Sequence, residues 1–206
     1  MTRDETVALF LECEAKRAEA ANAAVADGKS EIEAYKTGHE AARMHWNGWA
    51  ESMLAKRKAL ERESKWKTKI TIVDFYPVLE PENQETRDWA EEASCALSNL
   101  FIVSKRRYFE HVQRSTHRKR DELQIDNDVM DFSGFNFPWS VCADYSYFTN
   151  EVRFEKCEFN GQVSMYEAEF YNRVSFESAK FITGTRFNGC VFNSRATYVF
   201  YISIGE

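Results

Sequence analysis

The sequence predicts an α+β protein: a helical hairpin followed by a small β-solenoid with a phenylalanine core. Three observations carry this reading. Apolar residues recur every eleven positions from Phe132 to Tyr198. A stripe bearing Trp and Met runs at three-four spacing from Ile32 to Leu60. Two hydroxyl-x-x-glutamate motifs, Thr2 with Glu5 and Ser30 with Glu33, stand where two helices would begin.

The hairpin occupies residues 1–64. In a capping box, the hydroxyl and the carboxylate satisfy amides that lack an intrahelical acceptor. Thr2 and Glu5 open the first helix, whose inward face is expected to carry Val7, Leu11, Cys13, Ala18, Ala21 and Val25. Gly28 supplies the stop and Ser30 opens the second helix. Ile32, Tyr35, His39, Ala42, Trp46, Trp49, Met53 and Leu60 then share one stripe of its surface. The Ala-rich first helix lets that stripe approach closely, as in an antiparallel helix pair. Two helices alone cannot cover so large an aromatic surface. The stripe therefore docks on the rest of the chain or grips a partner, and Trp46, Trp49 and Met53 are the candidate partner-binding residues.

Residues 65–130 read as a connector. A basic run over 56–69 suits a helix end, 70–75 a short strand, and 82–95 a short helix carrying Trp89. Pro77 and Pro81 interrupt between them. Residues 96–102 then match 131–137, with Leu97 in the place of Phe132 and Ile102 in that of Phe137. This is a candidate first repeat, broken by a basic insertion over 103–130. Lys105, Arg106, Arg107, Arg114, Arg118, Lys119 and Arg120 are interleaved there with Tyr108 and Phe109, a mixture able to track phosphates. The chain's net charge of −6, and the acidic residues that follow at once, argue against nucleic acid as the partner.

Residues 131–206 form a lattice. One series runs Phe132, Ala143, Phe154, Met165, Phe176, Phe187, Tyr198; the other runs Phe137, Phe148, Phe159, Phe170, Phe181, Phe192. All but Ala143 are the expected core side chains. Small residues (Ser146, Cys157, Ala168, Ala179, Cys190) stand two before the second series, and Val141, Val152, Val163, Val174 and Thr185 two before the first. Ten of the sixteen Phe fall on these thirteen positions, which composition alone would not produce. A fixed period signals stacked units that bury their apolar faces only against neighbours. Glycines and β-branched residues favour short strands and turns over a helix of the same period.

The pattern Phe-x-x-Ala/Cys-x-Phe-x-x-x-Val/Thr-x-Phe resembles the phenylalanine-rich branch of the pentapeptide-repeat family. The resemblance implies a right-handed quadrilateral parallel β-helix, with about 22 residues per coil and coils ~4.8 Å apart. Some members resemble a DNA duplex in shape and charge and bind DNA gyrase, generally with a regular five-residue, leucine-centred repeat. This chain departs from them in period and in core residue. The expected function is a non-catalytic protein-binding or scaffold protein of a bacterial cytoplasm, its protein partner unidentified. The alternative is a DNA-mimicking inhibitor of a topoisomerase such as gyrase. A homodimer through the hairpin, or through the solenoid end where the apolar run 199–204 leaves the lattice, is the other partner reading.

Composition bounds the remainder. With 44% hydrophobic and 29% charged residues the chain is expected to fold as a globular protein. No apolar run is long enough for a membrane span, and the N-terminus lacks a secretory pattern. Five scattered cysteines point to a reducing compartment. No phosphate-binding loop, nucleophile elbow or metal-ligand pair is present, so no enzyme activity, cofactor or metal is expected.

Overall fold

The computed structural model describes residues 1–73, 76–104 and 121–193. The basic cluster over 105–120, Tyr198 and the apolar run 199–204 lie outside the described residues.

Helices α1 (Arg3–Ala26) and α2 (Glu31–Arg62) make the hairpin, and both capping boxes are formed. The Thr2 hydroxyl accepts the Glu5 N–H at 3.3 Å, and the Glu5 carboxylate accepts the Thr2 N–H at 2.7 Å. Past the end of α1, Gly28 N–H donates to Val25 C=O and Lys29 N–H to Ala24 C=O, so two orphan carbonyls are satisfied. The inward face of α1 differs from the expected one. Thr6, Phe10, Cys13, Arg17 and Ala24 are buried, while Leu11 and Val25 are exposed. A buried Arg and Thr stand on that face, so apolar periodicity does not mark it. Ile32, at the start of the α2 stripe, is likewise exposed.

The connector holds an antiparallel pair, β1 (Thr68–Val73) and β2 (Tyr76–Pro81), and helix α3 (Gln84–Ala93). The prolines that read as an interruption are part of β2. Glu82 N–H donates to Lys67 C=O at 3.0 Å, which makes 67/82 a hydrogen-bonded pair. By alternation, Thr68/Pro81, Ile70/Leu79 and Ile72/Pro77 turn their backbone groups away from the ladder. Pro77 and Pro81 thus sit where no N–H is needed. Helix α3 stops before Cys95 because that residue enters a solenoid sheet.

The solenoid has four sides, each a parallel sheet. Its first coil comprises β3 (Cys95–Ala96), β4 (Leu100–Ser104), β6 (Val129–Asp131) and β7 (Asn136–Phe137). The second comprises β8 (Val141–Cys142), β9 (Tyr147–Phe148), β10 (Glu151–Arg153) and β11 (Glu158–Phe159). The third comprises β12 (Val163–Ser164), β13 (Glu169–Phe170), β14 (Val174–Ser175) and β15 (Lys180–Phe181), and β16 (Thr185–Arg186) with β17 (Val191–Phe192) begins a fourth. Phe137, Phe159 and Phe181 are aligned across strands, as are Val141, Val163 and Thr185, so one coil is 22 residues. Residues 95–104 keep the expected phase but lie on a different side. Ile102 pairs with Phe148 and Cys95 with Val141, half a coil from the sides of Phe132 and Phe137. Between β4 and β6 the chain leaves the coil, and β5 (Asp121–Ile125) returns to pair with the outer edge of β4.

Inside, rings stack along the axis. Phe137 and Phe159 are 4.7 Å apart between centroids, Phe159 and Phe181 4.9 Å, Phe148 and Phe170 4.9 Å, Phe132 and Phe154 5.1 Å. These spacings are those of neighbouring strands, so backbone pairing and ring stacking are satisfied by one translation. Phe187 and Phe192 are partly buried against this core. The corners repeat too. Gly134, Tyr145, Lys156, Glu167, Ser178 and Gly189 all have positive φ, from 51° to 74°, at eleven-residue intervals. Each is followed by a residue whose N–H closes a turn onto the carbonyl three residues back, as Cys157 does onto Phe154 and Ala179 onto Phe176.

Candidate protein-interaction surface

The first coil would expose a ring of unpaired peptide groups if nothing preceded it. The helices supply what a preceding coil would. On the β3 side the Thr6 hydroxyl accepts the Ala96 N–H at 3.0 Å. On the β4 side β5 continues the ladder. Beside β6, Arg17 donates to Asp131 C=O at 2.8 Å, and His39 Nε2 lies 3.0 Å from Ser133 C=O. On the β7 side Trp46 Nε1 donates to Asn136 C=O at 2.9 Å, and Asn47 receives the Asn136 N–H while donating to Gly134 C=O. Buried peptide groups left unpaired cost ~1–3 kcal/mol each, so this side-chain cap replaces a whole coil of ladder.

The α2 stripe is spent on this cap. Trp46, 2% exposed, packs on Phe135 and Phe137 at 5.4 and 5.3 Å and edge-on to half-buried Trp49 at 5.2 Å. Met53 lies in a second cluster with Trp89 and Trp139, and its carbonyl accepts the Trp89 Nε1–H at 2.7 Å. Trp66, Trp89 and Trp139 meet edge-on within 5.8 Å, which ties the connector to the solenoid. All five tryptophans therefore stand at the seam between helices and coils.

A polar hub lies at the same seam. The Asp131 carboxylate accepts Tyr35 O–H at 2.5 Å and Ser133 N–H at 3.0 Å, with Arg153 at 3.9 Å and His39 Nδ1 at 3.8 Å. Burial pushes its pKa up, but the bonds from Ser133 and Tyr35 outweigh burial, so the net shift is downward. Burial first, and then the neighbouring carboxylate, raise the Tyr35 phenol to about 12. Because His39 Nε2 faces a carbonyl it carries the proton, and Nδ1 then accepts from Arg17 at 3.3 Å. These contacts make His39 part of the cap.

Outward side chains form columns in register with the coils. Tyr145 and Tyr166 meet edge-on at 5.4 Å, and the Arg186 guanidinium lies 4.2 Å from the Tyr166 ring centre. Glu158 adjoins Lys180, and Arg153 pairs with Glu151 at 2.7 Å. Beside the third coil, the β1–β2 pair leans over Ile182 and Gly184 to leave an apolar cleft of about 330 Å³. Its walls are Ile70, Pro77, Val78, Leu79, Ile182, Thr183 and Gly184.

The model for pentapeptide repeats (9 copies) matches residues 154–197. The coiled part of the chain is a pentapeptide-repeat solenoid. No curated protein and no solved structure matches the chain.

The cysteines of the pentapeptide-repeat solenoid are built in as packing. Cys157 and Cys190 donate from inward corners to Phe132 C=O and Met165 C=O of the preceding coil. Burial pushes the Cys157 thiol far up and Cys190 to about 11. Cys142 is half-buried, receives the Ser98 hydroxyl, and burial raises its thiol as well. A nucleophile needs a lowered thiol pKa. Thr6, Arg17, Asn47 and the Ile70/Ile182 cleft were not legible in the sequence. Polar caps at single positions have no period, and the cleft depends on where β2 meets the solenoid.

Proposed function

We propose that the protein is a non-catalytic interaction scaffold whose pentapeptide-repeat solenoid holds side-chain columns for a protein partner. The observation that carries this is the ordered outer surface: Tyr145, Tyr166 and Arg186 are held at fixed spacing by coils whose backbone and core leave little freedom. Repeat solenoids of this family are generally non-catalytic. Aromatic and arginine side chains are also those that dominate protein interfaces. The test is affinity capture followed by mass spectrometry, comparing the natural chain with a Tyr145→Ala/Tyr166→Ala variant of equal thermal stability. A defined protein recovered by the first and lost by the second supports the scaffold. Equal recovery by both overturns it.

The DNA-mimicry alternative needs a continuous negative face, and here Lys180 adjoins Glu158 and Arg153 adjoins Glu151. Such interleaving weakens the summed field that would steer a DNA-binding saddle. A supercoiling assay with micromolar protein is expected to show no inhibition of gyrase. Salt-sensitive inhibition at that level would reinstate the alternative.

A further inference from the structure

We infer that the open edge of β1 binds an extended peptide strand, apolar on one side and acidic on the other. This deepens the scaffold reading by naming a site and a ligand chemistry. The two edges of the β1–β2 pair are unlike. The outer edge of β2 carries Pro77, Leu79 and Pro81, so two of its three outward positions lack an N–H. It also faces the solenoid, since a Cβ on Gly184 would meet the Pro77 carbonyl oxygen at 3.1 Å. The outer edge of β1 carries Thr68, Ile70 and Ile72, each with an N–H and a C=O turned outward, and β2 is its only strand neighbour among the described residues. Proline and coverage guard one edge, and among the described residues neither guards the other.

Side chains say what would pair there. On one face Ile70 and Ile72 are 70% and 68% exposed, and across the cleft stands Ile182, 50% exposed. Isolated apolar side chains are ordinary on a surface, but Ile70 and Ile182 line one concavity, and Ile72 continues the Ile70 face just beyond it. A strand added beside β1 would set every second residue against Ile70 and Ile72, extending that wall. On the other face stand Lys69 of β1 and Lys67 just before it, both exposed, with Glu80 of β2 and Glu82 just after it directly across. An incoming strand with Asp or Glu opposite these lysines would complete carboxylate–ammonium–carboxylate rows, and one with Lys or Arg would meet like charge. Main-chain bonds from the edge give affinity, and the alternating side chains give selectivity.

The probe is a fluorescein-labelled octapeptide alternating Val and Glu, titrated by anisotropy with the full chain. Saturable binding is expected, weakening as salt rises. A matched Val/Lys peptide should bind at least about tenfold more weakly. Ile70→Pro removes an outward N–H while leaving the bonds to β2, so it should abolish binding with the melting transition unchanged. Ile72→Pro provides the same loss if Ile70→Pro perturbs folding. Lys67→Glu/Lys69→Glu should reverse the preference between the two peptides. Equal binding of both peptides, or binding that survives both prolines in folded protein, overturns the site. So does a concentration-dependent dimer abolished by Ile70→Pro, which would seat a second copy there. Binding only by a chain ending at Asn193 overturns it as well, because residues 194–206 would then hold the edge. None of these results touches the scaffold reading, which is decided on Tyr145 and Tyr166.

Discussion

The solenoid and its helical cap perform the same task by different chemistry. Within the coils, the strands pair with strands one coil away, and the same translation that pairs Phe137 with Phe159 pairs Phe159 with Phe181. At the first coil, Thr6, Arg17, His39, Trp46 and Asn47 each satisfy one or two backbone groups, and no two do it alike. Translation makes the coils tolerant, because every contact is repeated. The cap has no such redundancy, so its residues act one by one.

The largest loss is expected in mid-stack. Phe159 has a ring on either side, at 4.7 and 4.9 Å, and Phe159→Ala should cost ~3–5 kcal/mol in urea unfolding. A cost near that of an exposed change such as Glu177→Ala, within ~0.5 kcal/mol, would mean that the columns are not the support.

At the cap, Trp46→Phe keeps most ring contacts but removes the N–H bound to Asn136 C=O. The expected cost is ~1–3 kcal/mol, for one carbonyl left without a donor. A larger loss than that of Phe159→Ala would show that the cap, not the stack, limits stability.

The hub gives the comparison a pH dependence. The folded pKa of Asp131 lies below its unfolded value near ~3.9. Its contribution is therefore present above that value and lost as pH falls through the folded one. Tyr35 runs the other way: raised to about 12, it contributes below its usual phenol range and is lost as pH rises through that value. Thermal melts of Asp131→Asn should be flatter than the natural chain below about pH 4, and equally steep melts would remove the hub from the cap.

The smallest effect is expected at a corner. Lys156 holds φ at 57°, a conformation that costs a side chain ~1–2 kcal/mol, whereas glycine loses ~0.5–1 kcal/mol of entropy. Lys156→Gly should then stabilise by under ~1 kcal/mol in the same urea assay. A clear destabilisation would mean that the Lys156 side chain supports its coil.

The same contrast explains what could be read from the sequence. Phe154, Met165 and Phe176 announce themselves because the period that stacks them is also printed along the chain. Gly134 and Gly189, five repeats apart, hinted at the left-handed corners, but Tyr145 and Glu167 between them conceal the rule. Arg17 faces inward on α1 and carries no apolar signal, so the expected face slipped to Leu11 and Val25. In β2, the prolines read as breaks because their acceptability depends on which edge they occupy. The candidate cleft joins Ile70 to Ile182 across more than a hundred residues, and nothing local records that meeting.

The mismatch between the written repeat and the folded one has an evolutionary consequence. The chain repeats every eleven residues, but a side of the solenoid comes round again only every 22. The cap is fitted to particular sides, with Thr6 against β3 and Trp46 against β7. Loss or duplication of a single eleven-residue unit would keep the lettering intact yet present each later segment to the opposite wall. Lengthening or shortening that spares both ends must come in whole coils. The protein's size can therefore drift only in steps twice the length of the unit that its gene would most readily copy.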